Sequence, residues 1–126
     1  MRVLLDTVTF LRAATSPGQV SRRAMSLLRS ESTTREISVV SAVEIAAKHA
    51  KGKLRFGKEE WSDALDALRL EVLPFTAEHA YRMFQLPAHH ADPFDRQIIA
   101  QALCEDIPVV TCDETFGMYE GLKIVW

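Results

Sequence analysis

His90-Ala91-Asp92-Pro93-Phe94-Asp95-Arg96-Gln97-Ile98-Ile99-Ala100-Gln101-Ala102 reads as the opening of a helix that leads into the buried strand Val109-Val110-Thr111. Asp92 takes the N-cap position and Pro93 the first helical position, where a missing N–H costs nothing. Asp95 is then third in the helix. Counting four and seven residues on reaches Ile99 and Ala102, so the Asp95 carboxylate shares the stripe expected to be buried. A charge on a core-facing stripe at a helix mouth is either a cap or part of a site.

On either side of this helix, short apolar runs alternate with helical patterns. Arg2–Leu5 reads as a first strand, followed by a helix over about Thr7–Ala14 that Ser16-Pro17-Gly18 ends. A second helix spans Ser21–Ser30. A second strand, Ile37–Val40, leads to a helix over Ala42–Lys51 that stops near Gly52. Lys58–Leu68 is amphipathic through Trp61, Leu65 and Leu68, a stripe that suits core or dimer surface. Val72–Phe75 reads as a strand, Thr76 caps a helix running to Phe84, and the helix Asp92–Glu105 precedes the strand Val109–Thr111. A helical turn after Asp113 and a last strand, Lys123–Val125, complete the chain. This alternation predicts βαβ units and an α/β fold, with a mainly parallel sheet covered on both faces.

The 126 residues, 48% hydrophobic and 25% charged, suit a single domain spanning residues 1–126. No apolar run approaches a membrane span and the N-terminus lacks a signal-peptide pattern, so a cytoplasmic protein without membrane contact is expected. Cys104 and Cys112 have no metal-ligand spacing and read as reduced, small, buried side chains. The formal net charge of −2 argues against binding nucleic acid by bulk electrostatics. It leaves room for a nuclease whose acidic centre hides a basic rim. The segment Ile45–Lys58 holds five basic residues (Lys48, Lys51, Lys53, Arg55 and Lys58) and no acidic one, which is either a solvated helix and turn or a phosphate-contacting edge.

Four acids converge on one edge of the predicted sheet. Asp6 follows the first strand, Asp113 follows Val109–Thr111, and Glu44 is placed in the first turn of the helix leaving Ile37–Val40. Asp95 opens a helix that starts at the same edge. Each has an ordinary explanation: Asp6 and Asp113 as caps, Asp95 against a helix dipole, Glu44 paired with Lys48 four residues on. Jointly these explanations weaken. Two like charges about 4 Å apart repel by about 4 kcal/mol at an effective dielectric of about 20, which a cap does not offset. Either some acids are protonated or a cation sits among them. Oxygen ligands in a strand-end cleft suit Mg²⁺, with Mn²⁺ as a substitute.

Four segments then carry a family resemblance: Leu4-Leu5-Asp6-Thr7; Ser41-Ala42-Val43-Glu44-Ile45-Ala46-Ala47-Lys48 with Gly52-Lys53-Leu54 after it; His90 through Ala102; and Val110-Thr111-Cys112-Asp113. In this order and at this length the chain resembles a PIN-domain ribonuclease of the VapC toxin type. The resemblance implies a PIN-like three-layer α/β/α sandwich and Mg²⁺-dependent endoribonuclease activity on RNA. It implies neutralisation by a cognate VapB-like antitoxin, through a basic side chain entering the acidic pocket. A homodimer is also expected. By position, Asp6, Glu44, Asp95 and Asp113 match the family's acidic quartet. Asp6 and Asp95 would be direct metal ligands, Glu44 would hold or activate the attacking water directly or through the ion, and Asp113 would complete the shell or bind a second ion. Thr7 and Thr111 would orient carboxylates, Asp92 is foremost an N-cap, and Arg96 and Lys48 stand within reach of acids or substrate. His89 and His90 suit a loop or cap role better than metal ligation, since Mg²⁺ prefers oxygen. Two departures from the pattern, Val43 where relatives carry Trp and Arg12 where they carry a bulky apolar residue, bear on specificity. The rival readings are a PIN-like module that binds RNA without cutting it and a phosphoacceptor receiver domain with its own Mg²⁺ pocket. The latter lacks its paired acids after the first strand.

Overall fold

A computed structural model describes residues 1–126. Five strands, β1 (Arg2–Leu5), β2 (Thr34–Ser38), β3 (Leu70–Leu73), β4 (Val109–Val110) and β5 (Ile124–Val125), form one sheet in the order β3-β2-β1-β4-β5. Every pairing is parallel, so the sheet is wholly rather than mainly so. Six α-helices connect it: α1 (Thr7–Thr15), α2 (Arg22–Arg29), α3 (Val39–Ala50), α4 (Lys58–Leu68), α5 (Ala77–Arg82) and α6 (Pro93–Glu105). The strand order differs from the 2-1-3-4-5 order of receiver domains, which removes that reading.

Strand alternation builds a layer on each side of the sheet. Val3 and Leu5 point to one face, where Phe10 of α1, Ala24 and Leu28 of α2, Ile45 of α3 and Trp61 of α4 cover them. Leu4 points to the other, against Ile98, Ile99 and Ala102 of α6, with Phe116 and Tyr119 beyond. The Trp61, Leu65 and Leu68 stripe packs into the first of these clusters and is core, not dimer surface.

Several expectations need correction. β2 and α3 each begin three residues earlier than the sequence predicts, and β3 begins two residues earlier. Val39-Val40 looks like strand but is helix, because Ser38 caps α3 by accepting the Val40 N–H at 3.0 Å. Glu44 consequently lies in the second turn of α3 rather than the first. The strand instead takes in Thr34-Arg35-Glu36, whose polar side chains find distant partners. Arg2 forks onto Glu36 at 2.7 and 2.9 Å, and Arg35 donates to the carbonyls of Leu28 and Ser30. Arg2→Met would leave the buried Glu36 carboxylate without its fork and is expected to cost about 1–3 kcal/mol in denaturant unfolding. Cys104 and Cys112 are both free but exposed rather than buried. Cys104 lies on the outer side of α6, and Cys112 beyond the end of β4.

Candidate active site

The chain runs from β1 outward to β2 and β3, then returns to place β4 on the other side of β1. Such a switch in direction opens a crevice beyond the carboxyl ends of the two strands. Asp6 follows β1 and its N–H donates to the Val110 carbonyl at 3.2 Å. Its Oδ1 accepts the Thr9 N–H at 2.9 Å as the N-cap of α1, and its Oδ2 accepts the Thr111 hydroxyl at 2.6 Å. That hydroxyl oxygen in turn accepts the Asp113 N–H at 3.0 Å. A single threonine therefore ties the acid after β1 to the acid after β4. Asp6 is only 4% exposed, and this burial drives its pKa up against the opposing pull of the Thr111 and Thr9 bonds.

Asp113 caps the 3₁₀ turn Glu114–Met118 by accepting the Thr115 N–H at 2.9 Å. Its other oxygen pairs with His90 Nε2 at 3.1 Å. Burial pushes the Asp113 pKa up, but the bonds from His90 and Thr115 outweigh it and the net shift is downward. His90 Nδ1 lies 2.9 Å from the Tyr119 hydroxyl, and the ring stacks on Tyr119 and meets the edge of Phe116. With Nε2–H donating to the carboxylate, a neutral ring leaves Nδ1 to accept from Tyr119.

Asp95 sits third in α6, half-buried, while Asp92 caps that helix through the Phe94 N–H at 2.8 Å. The Asp95 pKa is pushed up to about 6. Burial is the main cause and the Asp92 charge is next; His90 opposes the rise, while Asp6 and Glu44 add to it. One ligand atom from each of His90, Asp95 and Asp113 falls within 4.8 Å of the other two. From α3, Glu44 joins at 5% exposure. Its Oε2 accepts from Lys48 Nζ at 2.7 Å, whereas Oε1 is buried with no hydrogen-bond partner. Lys48 is also within the field of Asp92 and Asp95, and its pKa is raised chiefly by its bond to Glu44.

The four acids of the sequence reading thus surround one cleft. The Thr7 hydroxyl bonds none of the carboxylates; it meets that of Ser41 at 2.8 Å and ties α1 to α3. Arg96 faces no acid. It donates to the carbonyls of Pro87 and Leu86 and holds the loop that leads into α6. His90 is the residue that local sequence undervalued: its partners lie 23 and 29 positions downstream, and only the fold brings them together. Val43 is 56% exposed beside Glu44, and Arg12 reaches the Cys112 sulfur at 3.3 Å, on the rim of the cleft. A buried Glu44 oxygen without a donor and the converging oxygens of Asp95 and Asp113 fit a divalent cation of the Mg²⁺ or Mn²⁺ kind, while the third group of that trio, His90, has both ring nitrogens engaged by Tyr119 and Asp113.

A family model for the PIN domain matches residues 3–122. The chain belongs to the PIN domain family. Among solved structures this PIN domain is similar to VapBC2 from Rickettsia felis bound to a promoter DNA fragment. The identity is 22%, coverage is 99% of this chain and 98% of that one, and the TM-score is 0.76. It is also similar to DNA-bound VapBC from Salmonella typhimurium (22% identity, coverage 99% and 97%, TM-score 0.73). VapBC-5 from Mycobacterium tuberculosis gives 19% identity, coverage 98% and 97%, and a TM-score of 0.62. At these identities the likeness is one of fold. No curated protein matches the sequence. No helix of this PIN domain is long and apolar enough to cross a membrane.

Proposed function

We propose that this PIN domain is a metal-dependent endoribonuclease and the toxin member of a toxin–antitoxin pair. The observation that carries the reading is the cleft itself. Asp6, Glu44, Asp95 and Asp113 crowd together with Lys48 as the one paired lysine, and Glu44 Oε1 is buried there without a donor. Asp6, Asp95 and Asp113 would hold Mg²⁺ or Mn²⁺, with Asp92 and Thr111 supporting them. When bound, such an ion supplies Lewis-acid stabilisation of a phosphodiester transition state and lowers the pKa of water. Glu44 Oε1 has no hydrogen-bond partner and would take the proton of an attacking water admitted beside it, while Lys48 fixes the other oxygen of the same carboxylate. His90 positions Asp113 through the Nε2 bond.

Fold likeness to VapBC complexes supports an antitoxin partner, and a basic side chain from such a partner complements the acidic cleft. A cavity of about 480 Å³ between α1, α2 and α4, lined by Ala13, Met25, Leu28 and Leu68 and also by the charged Arg29, Glu31, Arg35 and Arg69, has room for partner side chains. A homodimer belongs to the same proposal, with Tyr81 and Phe84 as exposed aromatic surface, 65% and 89% accessible. The protein is proposed to act in the cytoplasm, where its RNA substrate is.

The test is direct. Purified protein in Mg²⁺ or Mn²⁺ is expected to cleave structured RNA, EDTA to stop it, and restored metal to recover it. Asp6→Asn is expected to abolish cleavage, and expression of the native chain alone to arrest bacterial growth. RNA that is bound but never cut in either metal would overturn the catalytic reading.

A further inference from the structure

The cations between Lys48 and Lys58 have no role in the cleft just described, apart from Lys48 itself. The ion pairs of the chain engage Arg2, Lys48, His79 and His90. Lys51, Lys53, Arg55 and Lys58 are exposed and enter none of them. Four unpaired positive charges on one segment stand out in a chain whose net charge is −2.

Geometry joins them to the acids. Glu44 and Lys48 fall at i and i+4 on one stripe of α3, and Lys51, the C-cap residue, follows at i+7. At about 1.5 Å per residue, Lys51 lies about 10 Å along the helix axis from Glu44. Gly52 then turns the chain at φ +70°, and the Lys53 N–H returns to the Lys48 carbonyl at 2.9 Å. His49 Nδ1 lies 3.2 Å from the Leu54 carbonyl. Beyond the turn the segment alternates. Leu54 and Phe56 pack inward, with Phe56 edge-on to Phe10 at 5.7 Å, and Lys53 and Arg55 face solvent. The backbone that carries these cations is therefore pinned to the core, and its exposed charges follow in chain order from Lys48, which is bonded to Glu44.

We propose that this row is the track along which the sugar–phosphate backbone of single-stranded RNA enters or leaves the acidic cleft. The inference rests on the ribonuclease reading and names the surface that reading lacks. Four carboxylates repel a polyanion, so productive binding needs attraction from close by, and this row is continuous with Glu44 through Lys48. Ammonium and guanidinium groups on such a row meet phosphates rather than base edges, so affinity along it is insensitive to sequence. An acidic protein segment is the competing occupant, and the experiment separates the two.

The probe is a fluorescein-labelled single-stranded RNA of mixed sequence, titrated in EDTA so that it is bound without being cut. The triple variant Lys51→Gln/Lys53→Gln/Arg55→Gln is compared with the native chain over a range of salt. All three side chains are exposed, so matching thermal unfolding serves as the control for folding. The variant is expected to bind at least about tenfold more weakly at low salt, with the slope of log K against log salt smaller by about 2, or about 0.7 per lost phosphate contact. With Mg²⁺ present, KM is expected to rise while kcat at saturating RNA holds. Unchanged affinity and slope in the variant would overturn the track and leave the ribonuclease reading standing. So would weakened binding of a co-purified acidic partner with RNA binding intact. A native chain that neither binds nor cuts RNA would overturn both.

Discussion

Asp95→Asn is expected to lower RNA cleavage by at least about a hundredfold, the scale set by losing one preorganised electrostatic group, without harming the fold. The substitution removes charge and keeps shape. Asparagine keeps the size of the side chain at the third position of α6, so packing against the cleft is conserved. What disappears is a negative charge that burial and the charges of Asp92, Asp6 and Glu44 all oppose. The metal-free variant is therefore expected to unfold at the same temperature as the native chain or higher near neutral pH. Single-turnover cleavage in Mg²⁺ measures the first effect and thermal unfolding in EDTA the second. A variant that keeps activity within about twofold would remove Asp95 from the machinery. A variant that loses activity and stability together would make it a structural residue.

Divalent metal is expected to stabilise the protein strongly above pH 7 and weakly near pH 5. The sign follows from Asp95. Its carboxyl titrates at about 6 in the folded chain, above its ordinary value of 3.8. The folded state thus holds this proton more tightly than the unfolded state, and the favourable contribution is lost as pH rises through 6. Burial raises Asp6 in the same direction. Asp113 and Glu105, both lowered, act oppositely, and their contributions fade only in more acidic solution. Above pH 6 the metal-free cleft therefore gains the Asp95 charge and its repulsion from the neighbouring acids, which a cation relieves. Below it, protons compete with the cation for the same oxygens. At ten times Kd, binding contributes about 1.4 kcal/mol, or about 5 °C for a chain of this size. Melting curves with MgCl₂ and with EDTA at pH 5 and pH 7.5 read the difference. An equal gain at both pH values would place the bound metal elsewhere.

The outline of this site was legible because it rests on local rules. Asp92-Pro93 announces a helix start, and Val3-Leu4-Leu5 announces a buried strand ending at Asp6. Parallel topology then gathers strand ends with helix starts. The features that were not legible depend on contacts far apart in sequence. Thr34-Arg35-Glu36 is too polar to suggest an interior strand until Arg2, from the neighbouring strand, reaches Glu36. Val39-Val40 has β-branched strand character, yet Ser38 at the cap makes it helix. His90 resembled a loop residue because Asp113 and Tyr119 come to it only after β4 has joined the sheet. Arg96, beside an acid in sequence, points instead to two backbone carbonyls.

The Thr111 hydroxyl that joins Asp6 to Asp113 closes a span of 105 positions. This has a consequence in time. Chains are made from the N-terminus, and domains fold as their segments emerge. Asp6, Glu44 and Asp95 are all made before β4 and the threonine that follows it. Until then, β1 has no neighbour on that side, and the cleft has only one wall. A growing polypeptide thus carries most of the acids of the site without the assembled centre, which is completed only when β4 pairs with β1.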